Sequence, residues 1–195
     1  FEDTLFRDEK NDLWLIPTGE VSLNSMFADE IISHELPLKY VTHTPCFRDE
    51  KSSAGRDTRG IKRVHQFEKV ELYRFENPSN SLNAFNEMVS EVSKLCEALN
   101  LAYRIVELCT GDIGFQSAKT YDIEVWSAGC KEWLEVSSIS ICTDFQSRRT
   151  NTRFRDPIDR DVKFPHTLNG SGLALPRIII AILENNLLED GTIEI

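Results

Sequence analysis

The sequence predicts an α+β fold in which a mainly antiparallel sheet is flanked by helices. Three observations carry that expectation. Six segments alternate in hydrophobicity and are rich in β-branched and aromatic residues, which marks strands. The last two are separated by the tight Ser127-Ala128-Gly129-Cys130 turn and read as a hairpin. Two stretches switch to a helical period, so the order is strands, helix, strand, hairpin, helix rather than an alternating βαβ series.

Residues 13–16 form a first short strand, and "IPTGEVSL" places Thr18 and Glu20 where it ends and an apparent helix begins. A hydroxyl and a carboxylate there suit an ammonium group, although a plain capping segment has the same composition. Residues 39–49 and 64–75 are longer strands. Residues two apart share a strand face, so Arg48 and Glu50 point one way and Asp49 the other. On the next strand His65, Phe67, Lys69, Glu71 and Tyr73 share a face, opposite Gln66, Glu68, Val70, Leu72 and Arg74. Paired as a hairpin, the two would line one surface with an Arg, carboxylates and an aromatic ring, a pattern that solvated cross-strand ion pairs also produce. Between them, Lys51, Arg56 and Arg59 with Gly55 and Gly60 make a basic segment suited to closing over an anion or touching a nucleic-acid end.

Residues 81–100 form an amphipathic helix, with Leu82, Phe85, Val89, Val92, Cys96 and Leu99 in one stripe and Ser81 as candidate cap. A strand at 103–108 precedes the hairpin of 121–126 and 133–141. Within it, "EWLEVSSIS" puts Glu135 and Ser137 on one face, oxygen donors of the kind Mg²⁺ takes one or two at a time from protein. An ordinary half-exposed strand reads the same. Residues 151–165, charged and with two prolines, read as an exposed connection. "HTLNGSGLALPR" reads as a Gly-Ser-Gly turn feeding a helix start, which suits phosphate or carboxylate but is also a common helix entry. The closing apolar helix tolerates Pro176 only in its first turn, and Arg177 within it calls for an anionic partner.

With 195 residues, 41% hydrophobic, the chain suits one sizeable core. A formal charge of −10 argues against an autonomous nucleic-acid binder and leaves any such contact to a local basic patch. Five cysteines stand singly, so reduced thiols and no structural zinc are expected. The longest apolar run, around residues 178–183, is far short of a membrane span, and a soluble cytoplasmic protein with no membrane partner is expected. Phe1 in place of an initiator Met suggests a piece of something longer.

Several ordered motifs, "IPTGEV", "TPCFRDE…SAGRDTRGIKRVHQFEKVEL", "LCTGDIGFQSAKTYDIEVW", "EVSSIS…DFQSRR" and "TLNGSGLA.PR…AILEN", together resemble the catalytic domain of bacterial-type seryl-tRNA synthetases, a class II aminoacyl-tRNA synthetase family. The resemblance runs through nearly all of the chain. It implies ATP-dependent activation of L-serine to seryl-adenylate and transfer to tRNA(Ser), in a homodimer, with residues 1–195 forming part of one catalytic domain. The family's N-terminal tRNA-binding arm and motif 1 are absent from these residues, whereas motifs 2 and 3 are present.

What the resemblance implies for residues is specific. Arg48 holds the α-phosphate of ATP, Glu50 orients the adenine side with Asp49 beside it, Arg63 helps hold the phosphates and Phe67 stacks on the adenine. Thr18, Gly19 and Glu20 form a serine-binding triplet with Glu71 as second carboxylate, Arg48 close by, and Asn169 and Ser171 near the serine hydroxyl. Glu135 and Ser138 hold Mg²⁺, Val136 and Ser137 border the ATP, and Arg177 clamps its terminal phosphate, so that Arg48 and Arg177 are the electrostatic catalysts. Regular alternation puts residues 135 and 138 on opposite faces, and sharing an ion there requires a bulge. Gly19, where the family often has Ala, and Pro176, where it often has Gly, are departures of little expected consequence. Two rivals are a ligase that loads a carrier protein through a cysteine-ligated zinc site and a non-catalytic ligand-binding relative; no Cys is expected in the serine pocket.

Overall fold

The computed structural model describes residues 4–50 and 60–194, so Lys51, Gly55, Arg56 and Arg59 of the basic segment lie outside the described residues. Within them run β1 (Arg7–Asp8), β2 (Leu13–Trp14), α1 (Glu20–Asn24), a 3-10 turn (Ser25–Phe27), β3 (Ile31–Ile32), β4 (Leu38–Phe47), β5 (Gln66–Glu76), α2 (Ser81–Ala98), β6 (Tyr103–Glu107), β7 (Lys119–Ser127), β8 (Glu132–Thr143), α3 (Phe145–Arg149), β9 (Arg153–Arg155), β10 (Val162–Lys163), β11 (His166–Ala174) and α4 (Leu175–Asn185). The main sheet has the order β4-β5-β11-β8-β7-β6, with every neighbouring pair antiparallel.

Helices α2 and α4 cover one face of this sheet. Ala84, Phe85, Met88, Val89, Val92 and Cys96 of α2 pack with Ile178 and Ala181 of α4 on Ile123, Val125, Leu134, Val136, Ile139, Ile141 and Leu168. Leu82, expected in the buried stripe, faces solvent. The cap of α2 is Asn80 rather than Ser81, because Ser81 Oγ is taken by the Pro78 carbonyl and His166 Nδ1. Asn100, at φ 51°, ends the helix in the left-handed region that Asn tolerates. Arg74 is buried beneath α2 and reaches Glu87 and Glu91, tying β5 to the helix. The hairpin turn after β7 is held from α4, where the Glu184 carboxylate accepts from Ser127 Oγ and the Gly129 and Cys130 amides.

The opposite face stays open except at one end, where Leu23, Ile32, Tyr73, Phe75 and Phe154 form a second, smaller core. The expectation of an exposed connection over 151–165 holds for residues 157–162 but not for the segment as a whole. This segment carries β9 and β10, which with β3 make a three-stranded sheet, and Thr152, Phe154 and Asp156 are buried.

The expected Gly-Ser-Gly turn is also overturned: it is the interior of β11, at the centre of the sheet between β5 and β8. The glycines give room to neighbours rather than bending the chain. A Cβ at Gly170 would lie 2.9 Å from Ile139 Cγ1, and one at Gly172 would lie 3.0 Å from Val70 Cγ1. The helix still starts where Pro176 allows, in the first turn of α4. Gly170→Ala is expected to destabilise the protein by about 1–3 kcal/mol through overpacking against Ile139. Urea titration should show a lower midpoint at unchanged slope; an unmoved midpoint would contradict the packing account.

Candidate active site

On the open face, β5 presents Phe67, Lys69, Glu71 and Tyr73 in alternation, and β11 sets Asn169 opposite Tyr73 and Ser171 opposite Glu71. The chain from β2 brings Thr18 and Glu20 over them. Thr18 Oγ1 accepts from Lys69 Nζ at 2.8 Å and donates to Glu71 Oε2 at 3.1 Å. Lys69 and Glu71, 7% and 1% exposed, form a buried ion pair. Gly19 is the point of closest approach: a Cβ there would stand 2.7 Å from Thr42 Cγ2. An alanine at Gly19 would need the Thr42 methyl to shift.

Glu20 differs from Glu71 in having neutral partners. Its Oε1 accepts from Gln146 Nε2 and from Asn169 Nδ2, the latter at 2.9 Å, and no ion pair to it occurs among the described residues. Gln146 is itself oriented, since its Oε1 accepts from Thr167 Oγ1 at 2.6 Å and faces Tyr73 OH at 3.0 Å. Burial, then the Glu71 charge, raises the Glu20 pKa, against the lowering effects of Gln146, Lys69 and Arg48. Burial also pushes Tyr73 well up, and the thiol of Cys142 up to about 12. Cys142 Sγ sits 3.5 Å from Asn169 Nδ2, fully buried behind it and outside the lining of both cavities.

A second group lies further along the same face. The Arg48 guanidinium is 5.2 Å from the Phe67 ring centroid, and its Nε donates to the Pro17 carbonyl at 3.3 Å. Glu50 pairs with Arg63 at 2.9 Å. Arg177, in the first turn of α4, is half-buried and donates to the Glu135 carbonyl at 2.7 Å, with the Glu135 carboxylate at 3.5 Å. These residues, with Val136, Lys69 and Ser171, line a cavity of about 150 Å³. A larger cavity of about 900 Å³ meets it at Arg48, Glu50 and Arg63 and is lined on its own side by Thr18, Glu20, Asp49 and Gln146.

Two irregularities shape the smaller cavity. Between Ile123↔Ser137 and Glu124↔Glu135 the register of β7 and β8 shifts, leaving Val136 as one extra residue. Asp122↔Ser138 and Glu124↔Glu135 are then two apart on β7, so Glu135 and Ser138 do share a face. Ser137, expected beside Glu135, instead pairs with core residue Ile123 and donates to the Ser171 carbonyl at 2.6 Å. The second irregularity lies between Ser171 and Ala174 of β11, where Leu173 adopts φ 114° and the strand swings into the helix that bears Arg177. Beside Ser138, burial raises the Asp122 carboxyl to about 6, and Asp122 Oδ1 has no hydrogen-bond partner.

Sequence reasoning left Lys69, Tyr73, Gln146 and Cys142 without roles in the pocket. Lys69 and Tyr73 were legible as sharing the face of Glu71; Gln146 and Cys142, remote in sequence, carried no such signal.

Residues 2–186 match the family described as tRNA synthetase class II core domain (G, H, P, S and T). The chain belongs to that family. Among relatives of this class II core, it is 53% identical over 194 residues to a serine–tRNA ligase of Dehalococcoides mccartyi and 55% identical over 194 residues to one of Chloroflexus aurantiacus. The alignments cover 99% of this chain but 47% and 46% of those proteins, so the chain spans about half their length. A crystal structure of seryl-tRNA synthetase from Pyrococcus horikoshii complexed with ATP superposes with a TM-score of 0.95 at 47% identity, covering 100% of this chain and 44% of that one. The class II core thus accounts for the antiparallel sheet with helices on one face and an open site on the other.

Two outcomes test this geometry. Gly19→Ala is expected to destabilise by about 1–3 kcal/mol, and a second change, Thr42→Ser, should recover most of that by removing the clashing methyl; no recovery would place the conflict elsewhere. Because the Glu20 pKa is raised on folding from the ordinary 4.5, its ionised form disfavours the fold above the folded pKa, and the penalty fades as pH falls from there toward 4.5. Glu20→Gln should therefore raise the Tm of the ligand-free protein at pH 7, with the gain shrinking on acidification; a lower Tm at pH 7 would contradict the assignment.

Proposed function

We propose that this class II core activates L-serine with ATP to seryl-adenylate and passes the seryl group to tRNA(Ser), as part of a cytoplasmic homodimeric enzyme. The observation that carries the reading is Glu20, a part-buried carboxylate in the cavity wall, hydrogen-bonded by neutral amides beside an already paired Glu71. A carboxylate so placed suits a cation, and the α-ammonium of an amino acid is one of matching size. The names of the relatives, serine–tRNA ligase, support serine as the amino acid, and the ATP complex of the P. horikoshii protein supports ATP.

The chemistry follows from the two groups of residues. The serine carboxylate oxygen bonds to the α-phosphorus while the bond from that phosphorus to the bridging oxygen breaks and pyrophosphate leaves with the electron pair. The terminal ribose hydroxyl of the tRNA then attacks the acyl carbon, the bond to AMP breaks, and the hydroxyl proton leaves to the AMP phosphate or water. No side-chain nucleophile takes part. Arg48 lies between the Thr18–Glu20 pocket and the Phe67 ring, where it would hold the reacting phosphate, and Arg177 would hold the distal ones. Glu135 and Ser138, turned to one face by the extra Val136, together with the unsatisfied Asp122 Oδ1 beside them, fit a hard cation. Mg²⁺ there would supply charge neutralisation for the phosphates. The protein's own part is positioning and electrostatic stabilisation.

The carrier-protein reading rests on zinc, and its one support is the Cys142 thiol near Asn169; a zinc assay of the purified protein separates the two. ATP–pyrophosphate exchange on the full-length protein tests the main reading. Serine is expected to drive exchange, alanine and threonine far less, and Arg48→Ala should lower kcat by about 10²–10³. Exchange equal with all three amino acids, or none in a folded protein that still binds ATP, would overturn it.

A further inference from the structure

Gln146, in the first turn of α3, is buried and yet borders the larger cavity beside Glu20. Its carbonyl end is held from behind. Thr167 Oγ1 donates to Oε1 at 2.6 Å, and Tyr73 OH faces the same oxygen at 3.0 Å while lying 2.8 Å from Asn24 Oδ1. The amino end donates to Glu20 Oε1, which also accepts from Asn169 Nδ2. Reversing the amide would set its oxygen against the carboxylate with no proton between them. Thr167 and Asn169 are two apart on β11, so both holds on Glu20 run back to the central strand. Glu20 Oε2 accepts no hydrogen bond among the described residues.

The two amides thus occupy one oxygen of Glu20 and bring no charge to it. A lysine in place of Gln146 could hold the carboxylate as firmly, but it would cancel the charge that an ammonium needs. Glu71 shows that alternative, since Lys69 neutralises it within the protein. Resting on the functional reading above, we propose that Gln146 is a positioning residue for amino-acid capture, fixing Glu20 through Oε1 while leaving Oε2 and the negative charge to the substrate ammonium. Gln146 lines the larger cavity and not the smaller one, where Phe67 and Arg177 stand, so its contribution falls on the amino acid rather than the nucleotide.

Steady-state ATP–pyrophosphate exchange on the full-length protein is the test. Gln146→Met keeps the length of the side chain and removes its donor. It is expected to raise KM for serine about ten-fold, with kcat and KM for ATP within about two-fold. Gln146→Glu keeps the acceptor for Thr167 and sets a second carboxyl against Glu20. Protonated, that acid donates as the amide does; ionised, it repels. Its serine KM, relative to the unaltered protein at each pH, should therefore recover between about pH 8 and about pH 6, and that of Gln146→Met should not. The groups facing Glu20 are Glu71, Lys69 and Tyr73 of β5, Arg48, and Cys142 of β8, with Arg149 of α3 on the same cavity wall. Burial keeps the protons on Tyr73 and Cys142 across that range. If Gln146→Met lowers the Tm and affects ATP as well, the pH recovery of Gln146→Glu decides, because a packing defect does not heal on acidification. A deficit in Gln146→Glu that is the same at both ends of the range would overturn the proposal, as would a serine KM within about two-fold of the unaltered protein in both variants. Absence of serine-driven exchange in the unaltered protein would overturn the functional reading, and this proposal with it.

Discussion

The placement of β11 between β5 and β8 is the constraint on which the rest depends. A central strand has no free edge, and its two faces must satisfy different neighbours at once. Leu168, Gly170 and Gly172 face the helices, where large side chains from β8 and β5 occupy the volume the glycines vacate. Asn169 and Ser171 face the site, each opposite a polar residue of β5. A slip of one residue would put the asparagine under the helices and leave Leu168 in the pocket. Core and site are thus specified by the same register.

That arrangement keeps an unusual amount of polar surface dry. Lys69, Glu71, Tyr73, Gln146, Thr167 and Asn169 are all buried, and nearly every polar atom in the group is answered by another. Satisfied networks of this kind are stiff and costly to disturb, which suits a pocket that must hold its shape when empty. Glu20 borders this group, its Oε1 taking two amide hydrogen bonds while its charge has no ion-pair partner among the described residues.

The sequence made the two-face logic of β4, β5, β7 and β8 legible, because alternation survives wherever a strand has one apolar face. The helices were equally plain from Phe85, Val89, Val92 and Cys96 and from the apolar run after Pro176. β11 was not, since glycines chosen for their neighbours' bulk look the same in one dimension as glycines chosen for a turn. The short β9 and β10 were hidden by charges that pair with each other, as Lys163 does with Asp156 and Asp159. Of the site, the residues carried over from the resemblance are brought onto one face, with Asp49 at the wider cavity and Ser137 turned inward. Gln146 and Cys142 escaped because only the fold brings them beside Glu20 and Asn169.

The extra residue at Val136 makes the Arg177 side of the site depend on a count as well as on identities. Strand faces alternate with a period of two, so parity decides which side chains look toward the cavity. Were the register shift absent and Val136 paired like its neighbours, β8 would run in plain alternation and Ser138 would turn toward the helices while Glu135 stayed. Substitution can adjust this stretch by degrees. A one-residue insertion between Glu135 and Ser138 has no intermediate form, whereas loss of Val136 alone would leave the two residues on one face.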